Sequence, residues 1–257
     1  MSDYHPQARS LPVGQADMAL DVGLRSFMLG VYSKMGLGLL LSAALAYAVG
    51  AYAPITQLVL GTPLLYVVQW GPVALILAST FLMRNPSPTG SAVLYWSIVS
   101  LMGAGLGVWV YLALSRVGAT TMGGQQLLVT FDSMAKAFLI TAAGFGGLCL
   151  WGYNTKRNLS GLNSLLIMGS WGLLLVVGLQ FFVHSTALEI GMEIAALGIY
   201  SLLMATQTNM LRESYYALQG NARSLAVMTN YGALNLYIAF VQVFQIVLAL
   251  LSGGSRR

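Results

Sequence analysis

The chain has 257 residues, of which 57% are hydrophobic and only 7% charged, with a formal net charge of +5. A soluble surface is normally built with about a quarter of residues charged, so a soluble globular domain is excluded. The cations sit singly or in pairs with no basic stripe, which excludes nucleic acid as a partner and leaves the lipid bilayer as the solvent.

Charge-free runs lie between Lys34 and Arg84, Arg84 and Arg116, Arg157 and Glu189, and Arg223 and Arg256. Each can hold an apolar span of ~20 residues, and the first can hold two. The expected organisation is a polar cytoplasmic leader over residues 1–24 and a seven-helix transmembrane domain over residues 25–257. The leader mixes acids, prolines and polar residues before any apolar core, so it is no signal peptide. A short interfacial turn is expected near Met18–Phe27.

The first span is expected at about 34–53. Gly38, Ser42, Ala46 and Gly50 recur every four residues along it. Such a stripe lets a neighbouring backbone approach closely. Ala53-Pro54 breaks this helix and a charge-free loop follows. The second span, about 63–83, contains Gly71-Pro72 and should kink there, because proline removes a backbone donor. The third span, about 91–115, carries Gly103 and Gly107, a second close-packing signal. Residues 116–131 read as a polar loop. Its Gly123-Gly124 pair has no strand before it and no Lys-Ser/Thr after it, so it is not a phosphate loop.

The fourth span, about 132–152, opens with Asp132 and Lys136, a favoured surface pair at i, i+4. Cys149, the only cysteine, lies in its apolar stretch. The connector Gly152–Leu162 follows, with Lys156 and Arg157 among turn formers and Asn158 or Ser160 available as a helix cap. The fifth span is expected at about 162–183 and ends at His184. The sixth, about 187–211, has Glu189 and Glu193 on one face near its start and the polar run Thr206-Gln207-Thr208-Asn209 at its end. A connector of about 20 residues, marked by Arg212, Glu213 and Arg223, leads to the last span at about 231–252. Asn235 and Gln242 share a face of that span, with Ala239 between them and Gln245 beyond.

Seven spans put Arg9, Arg25, Arg84, Lys156, Arg157, Arg212 and Arg223 on one side, against Arg116, Arg256 and Arg257 on the other. Retention of positive charge inside then places the N-terminus and the Gly152–Leu162 connector in the cytoplasm. Arg256 and Arg257 oppose this, and a re-entrant last segment with the tail inside is the alternative.

The connector, from Gly152, Tyr153, Thr155, Lys156 and Arg157 to Leu159, Ser160 and Gly161, continues as Ser164–Gly169. Together with Arg25–Tyr32, Met35-Gly36 and Gly232–Tyr237 it resembles the transmembrane Bax inhibitor motif family, in its bacterial, YccA-like branch. The resemblance spans roughly residues 25–252. It implies an all-α fold of seven transmembrane helices with the last packed centrally, in the bacterial inner membrane. It also implies an association with other membrane proteins, for example a membrane AAA protease complex. Many members carry an acid in the sixth span and another in the last, a pair the family associates with pH-sensitive calcium leak. Here Gln207 and Ala239 stand at those positions. Two carboxylates sharing a proton in low dielectric can switch with pH; a glutamine and an alanine cannot.

Two chemistries remain among intramembrane polar residues. Glu189 and Glu193 lie close enough to the interface to be simply solvated, the favoured reading; as a pair they can also attract a cation, calcium or protons included, but supply too few oxygens for a closed calcium cage. Gln207, Asn235, Gln242 and Gln245 suit a neutral seam between the last two spans, as helix glue or as a pore lining without charge. No GxSxG or HExxH motif occurs and both histidines are isolated, so no catalytic residue, cofactor or metal is expected. The leading functional expectation is a non-catalytic partner or regulator of other membrane proteins. A pH-modulated cation leak and a structural accessory subunit are the alternatives.

Overall fold

The computed structural model describes residues 13–82, 85–121, 124, 126–155, 159–180, 182–183 and 185–253. Seven helices within it are long and apolar enough to cross a membrane. The expected all-α polytopic architecture is the one found.

Helix α1 runs Val13–Ala51, well ahead of the expected start at 34. No interfacial turn interrupts it near Met18–Phe27. Leu24, Phe27, Met28, Val31 and Met35 are buried at helical spacing, and Arg25 simply points away from that stripe. Thirty-nine residues rise about 58 Å, more than a bilayer needs, so α1 projects beyond it. Tyr52 is extended and Pro54 occupies the first turn of a short helix, α2 (Ala53–Leu60), where a loop was expected. Proline fits there because a first-turn N–H has no helical partner. Thr56 Oγ1 secures the junction by donating to the Val49 carbonyl at 2.6 Å.

Helix α3 (Leu64–Leu82) contains Pro72. Helix α4 (Pro88–Ser115) is capped by Ser87, whose hydroxyl accepts from the Gly90 N–H at 2.9 Å. The two small-residue stripes meet each other. A Cβ placed on Gly103 would lie 2.6 Å from Ser42 Cα, and one on Gly107 would lie 2.6 Å from Val49 Cβ. Backbone proximity of this kind makes α1 and α4 the most extensively packed helix pair.

The expected polar loop instead holds a hairpin of two-residue strands, β1 (Ala119–Thr120) and β2 (Gln126–Leu127), with Ala119 opposite Leu127. Helix α5 (Phe131–Asn154) opens on a reciprocal cap between Thr130 and Ser133. Helices α6 (Ser160–Gln180), α7 (Thr186–Ala217) and α8 (Ala222–Gly253) complete the chain. The expected 20-residue connector around Arg212 and Arg223 shrinks to a tight turn at Gly220, whose φ is 86°. Leu211, Tyr215, Val227 and Asn230 are buried at helical spacing, so both helices continue past the charges that marked a loop.

Helix α8 packs against α1, α4, α5 and α7 and is the central element. Tyr237, at its middle, is fully buried, and its hydroxyl lies 2.6 Å from Ser42 Oγ. Its far end is pinned to the hairpin: the Leu128 N–H donates to the Ser252 carbonyl at 3.3 Å. Thus α8 is one unbroken helix from the connector face to the opposite, hairpin face. Arg256 and Arg257 lie outside the described residues.

Candidate functional site

The signature connector is held by α7. Gly152, in the last turn of α5, packs so closely that a Cβ there would lie 2.3 Å from the Ala205 carbonyl oxygen. The polar run on α7 reads this bare backbone. Asn209 Nδ2 donates to the Gly152 carbonyl at 3.4 Å, and Arg212 Nη1 donates to the carbonyls of Tyr153 and Thr155 at 3.0 and 3.2 Å. These are carbonyls at or beyond the end of α5, which lack helical partners, and a cation is favoured there. Leu159 is buried beyond them and Gly161 is exposed. Lys156, Arg157 and the Ser160 side chain lie outside the described residues, as does His184.

One turn deeper, Thr208 Oγ1 lies 2.9 Å from the Met204 carbonyl and 3.4 Å from Cys149 Sγ, tying α7 to α5. Gln207 is half-buried, and its Oε1 is sealed with no partner; Asn209 Oδ1 is in the same state. Ala239 is buried on α8, whereas Asn235 is exposed. No hydrogen bond joins Gln207 to Asn235 or Gln242 among the described residues. Gln242 and Gln245 line a cavity of about 350 Å³ between α3, α4 and α8, facing Gln69. Gln69 was missed in sequence. Its signal was a lone amide in an apolar run, three residues before Pro72, which frees the carbonyl of Val68 at the same cavity.

Glu189 and Glu193 sit one turn apart on α7, towards the hairpin face. Glu189 is buried, not solvated, and accepts from Thr121 Oγ1 at 2.6 Å. Glu193 is half-buried, and its Oε2 is sealed with no hydrogen-bond partner. A further polar cluster lies on the connector face and also escaped the sequence. Lys34 Nζ donates to Asn230 Oδ1, and Asn230 Nδ2 donates to Ser91 Oγ at 2.7 Å and the Pro88 carbonyl at 3.0 Å. Lys34 marks the expected start of the first span. It lies instead inside α1 and links that helix to α8 and α4.

Seven apolar spans, one of them a buried central helix, joined by hydrogen bonds from neutral and cationic side chains, define a polytopic integral membrane protein. The family model described as "Inhibitor of apoptosis-promoting Bax1" matches residues 24–257, and the chain belongs to this Bax inhibitor-like family. An uncharacterized protein of Caulobacter vibrioides is 41% identical over 264 residues, covering 99% of each chain. A Rickettsia prowazekii protein is 27% identical over the full length of both chains. The Escherichia coli "Inner membrane protein YbhL" is 27% identical over 91% of this chain and 94% of its own.

Proposed function

We propose that the chain is a non-catalytic protein of the bacterial inner membrane that acts by association, as a partner or regulator of other membrane proteins. Its connector face would be cytoplasmic. The observation that carries this reading is the position of α6. Among the described residues this helix packs on α7 and makes no comparable contact with any other helix. Leu165, Met168, Trp171 and Leu175 are left 65–73% exposed along it. Gly172 and Gly178 have no atom within 4 Å of an added Cβ, so another backbone has room to approach. A membrane AAA protease complex is the partner class that the family resemblance implies.

Photo-crosslinking in native membranes tests this reading. A crosslinker at Leu175 is expected to give a protein adduct of discrete mass, which Gly172→Leu removes. A crosslinker at Leu40, exposed on α1, serves as the comparison. Absence of a protein adduct from α6, or equal adducts from both positions, would sink it.

A second reading, a cation leak at the hairpin face, is supported by the sealed, unpartnered Glu193 Oε2 one turn from Glu189. Calcium entry into dye-loaded liposomes that falls in Glu193→Gln would support this leak. No flux, or flux indifferent to that change, would dismiss it.

A further inference from the structure

Between α1 and α5, on the connector face, lies a groove of about 480 Å³. Its walls are apolar, with Tyr32, Phe145, Cys149 and Tyr153 among the lining residues and a single cation, Arg25, at its mouth. This volume falls within the ~300–1,000 Å³ of ordinary small-molecule sites.

Three features say what fits. First, the groove opens sideways. Its rim residues Leu29 and Leu150 are 58% and 64% exposed, so entry is from the acyl region of the bilayer and not from water. Second, it has a floor. Tyr32 meets Phe145 edge-on at 6.2 Å and Phe145 meets Phe240 at 5.7 Å, which closes the groove about 10 Å below Arg25 at the 1.5 Å rise of a helix. Gly146 keeps the space between open, since an added Cβ there meets nothing within 4 Å. Third, Arg25 is exposed and makes no ion pair or hydrogen bond among the described residues. An unpaired guanidinium over an apolar slot is complementary to one kind of molecule, an amphiphile with an anionic head. Arginine also matches phosphate oxygens in a bidentate way. Basic pockets between transmembrane helices are a recurrent means of holding anionic headgroups.

We propose that the α1–α5 groove binds one acyl chain of an anionic glycerophospholipid, whose phosphate rests on Arg25. The competing occupant is a helix of a second copy of this chain, drawn by the open glycines of α5.

Native mass spectrometry of the full-length protein in detergent tests this. The titrants are phosphatidylglycerol, phosphatidylethanolamine of the same acyl composition, and inorganic phosphate. A single phosphatidylglycerol adduct is expected, at least fivefold more populated than that of the zwitterionic lipid. Arg25→Gln should abolish that preference. Gly146→Leu should remove the adduct with Arg25 still present. Both changes fall on unoccupied surface, so lipid-free thermal unfolding should not move to lower temperature, and that measurement serves as the folding control. Equal adducts from both lipids, unaffected by Arg25→Gln, would overturn the proposal. So would phosphate binding that survives in Gly146→Leu, or a dimer that Gly146→Leu dissolves with no lipid adduct in the parent protein.

Discussion

Arg212 on α7 reaches across to α5 and donates from Nη1 to the Tyr153 carbonyl at 3.0 Å. With its second bond to Thr155, it brings a cation from α7 to this helix end. Arg212→Ala is expected to cost about 2 kcal/mol of stability, since hydrogen bonds to charged groups contribute ~1.5–3 kcal/mol. Arg212→Lys should recover only part, because the lysine ammonium ends one bond short of Nη1, which makes both contacts, and is the more strongly hydrated cation. Thermal unfolding in detergent measures both. A parent-like transition in Arg212→Ala would remove the arginine's role as a clasp.

Gly152 and Gly147 make a matched pair on α5. Gly152→Ala forces its new methyl onto the Ala205 backbone, which cannot step aside like a side chain. A loss of about 1–3 kcal/mol is expected from overpacking. Gly147→Ala meets open space and should be neutral, or gain up to about 1 kcal/mol from the lower backbone entropy of alanine. Opposite signs in the same unfolding assay are the expected result; equal effects would contradict the close α5–α7 approach.

How far the fold was legible in the sequence follows from what each signal reports. Hydropathy reports depth in the bilayer, so the seven spans were plain. It does not report where a helix ends. Arg212 and Glu213 read as a loop because they leave the apolar region, yet α7 continues to Ala217 with Tyr215 packed on Phe27 at 5.5 Å. The stripe on α1 and the glycine pair on α4 were both visible, and the structure supplies their pairing. Polar sites were less legible because their partners come from distant segments. Thr121 meets Glu189 across 68 residues, and Lys34 meets Asn230 across 196. A seven-residue spacing put Asn235 and Gln242 on one face, but only the neighbouring helices decide that one is exposed and the other borders a cavity with Gln69.

Ser42 and Tyr237 form a hydrogen bond at the centre of the bundle, and Ser42 Oγ also reaches the Val99 carbonyl at 3.2 Å. A double-mutant cycle with Ser42→Ala and Tyr237→Phe should give a coupling of about 0.6 kcal/mol, the average for bonds between membrane helices, and no more than about 1.7 kcal/mol. Additive single-mutant effects would show that the shared bond carries no energy and that α8 is centred by packing alone.

The turn at Gly220 and the end of α8 at Gly253 lie on opposite faces. With positive charge retained inside, a reporter inserted at Gly220 should be active only in the cytoplasm, and one fused after Gly253 only outside it. Both active on one side would contradict an α8 that crosses completely. Exchange of the two would invert the proposed orientation without disturbing the fold.

Cys149 is the chain's only thiol, and it borders the α1–α5 groove at 5% exposure. The unaltered protein therefore carries a built-in chemical reporter at one of its least water-accessible surfaces. A membrane-soluble maleimide approaching through lipid can find it, while a charged one is turned away. The rate of that labelling is a gauge of how freely the groove is reached from the lipid, readable in intact membranes without any engineered residue.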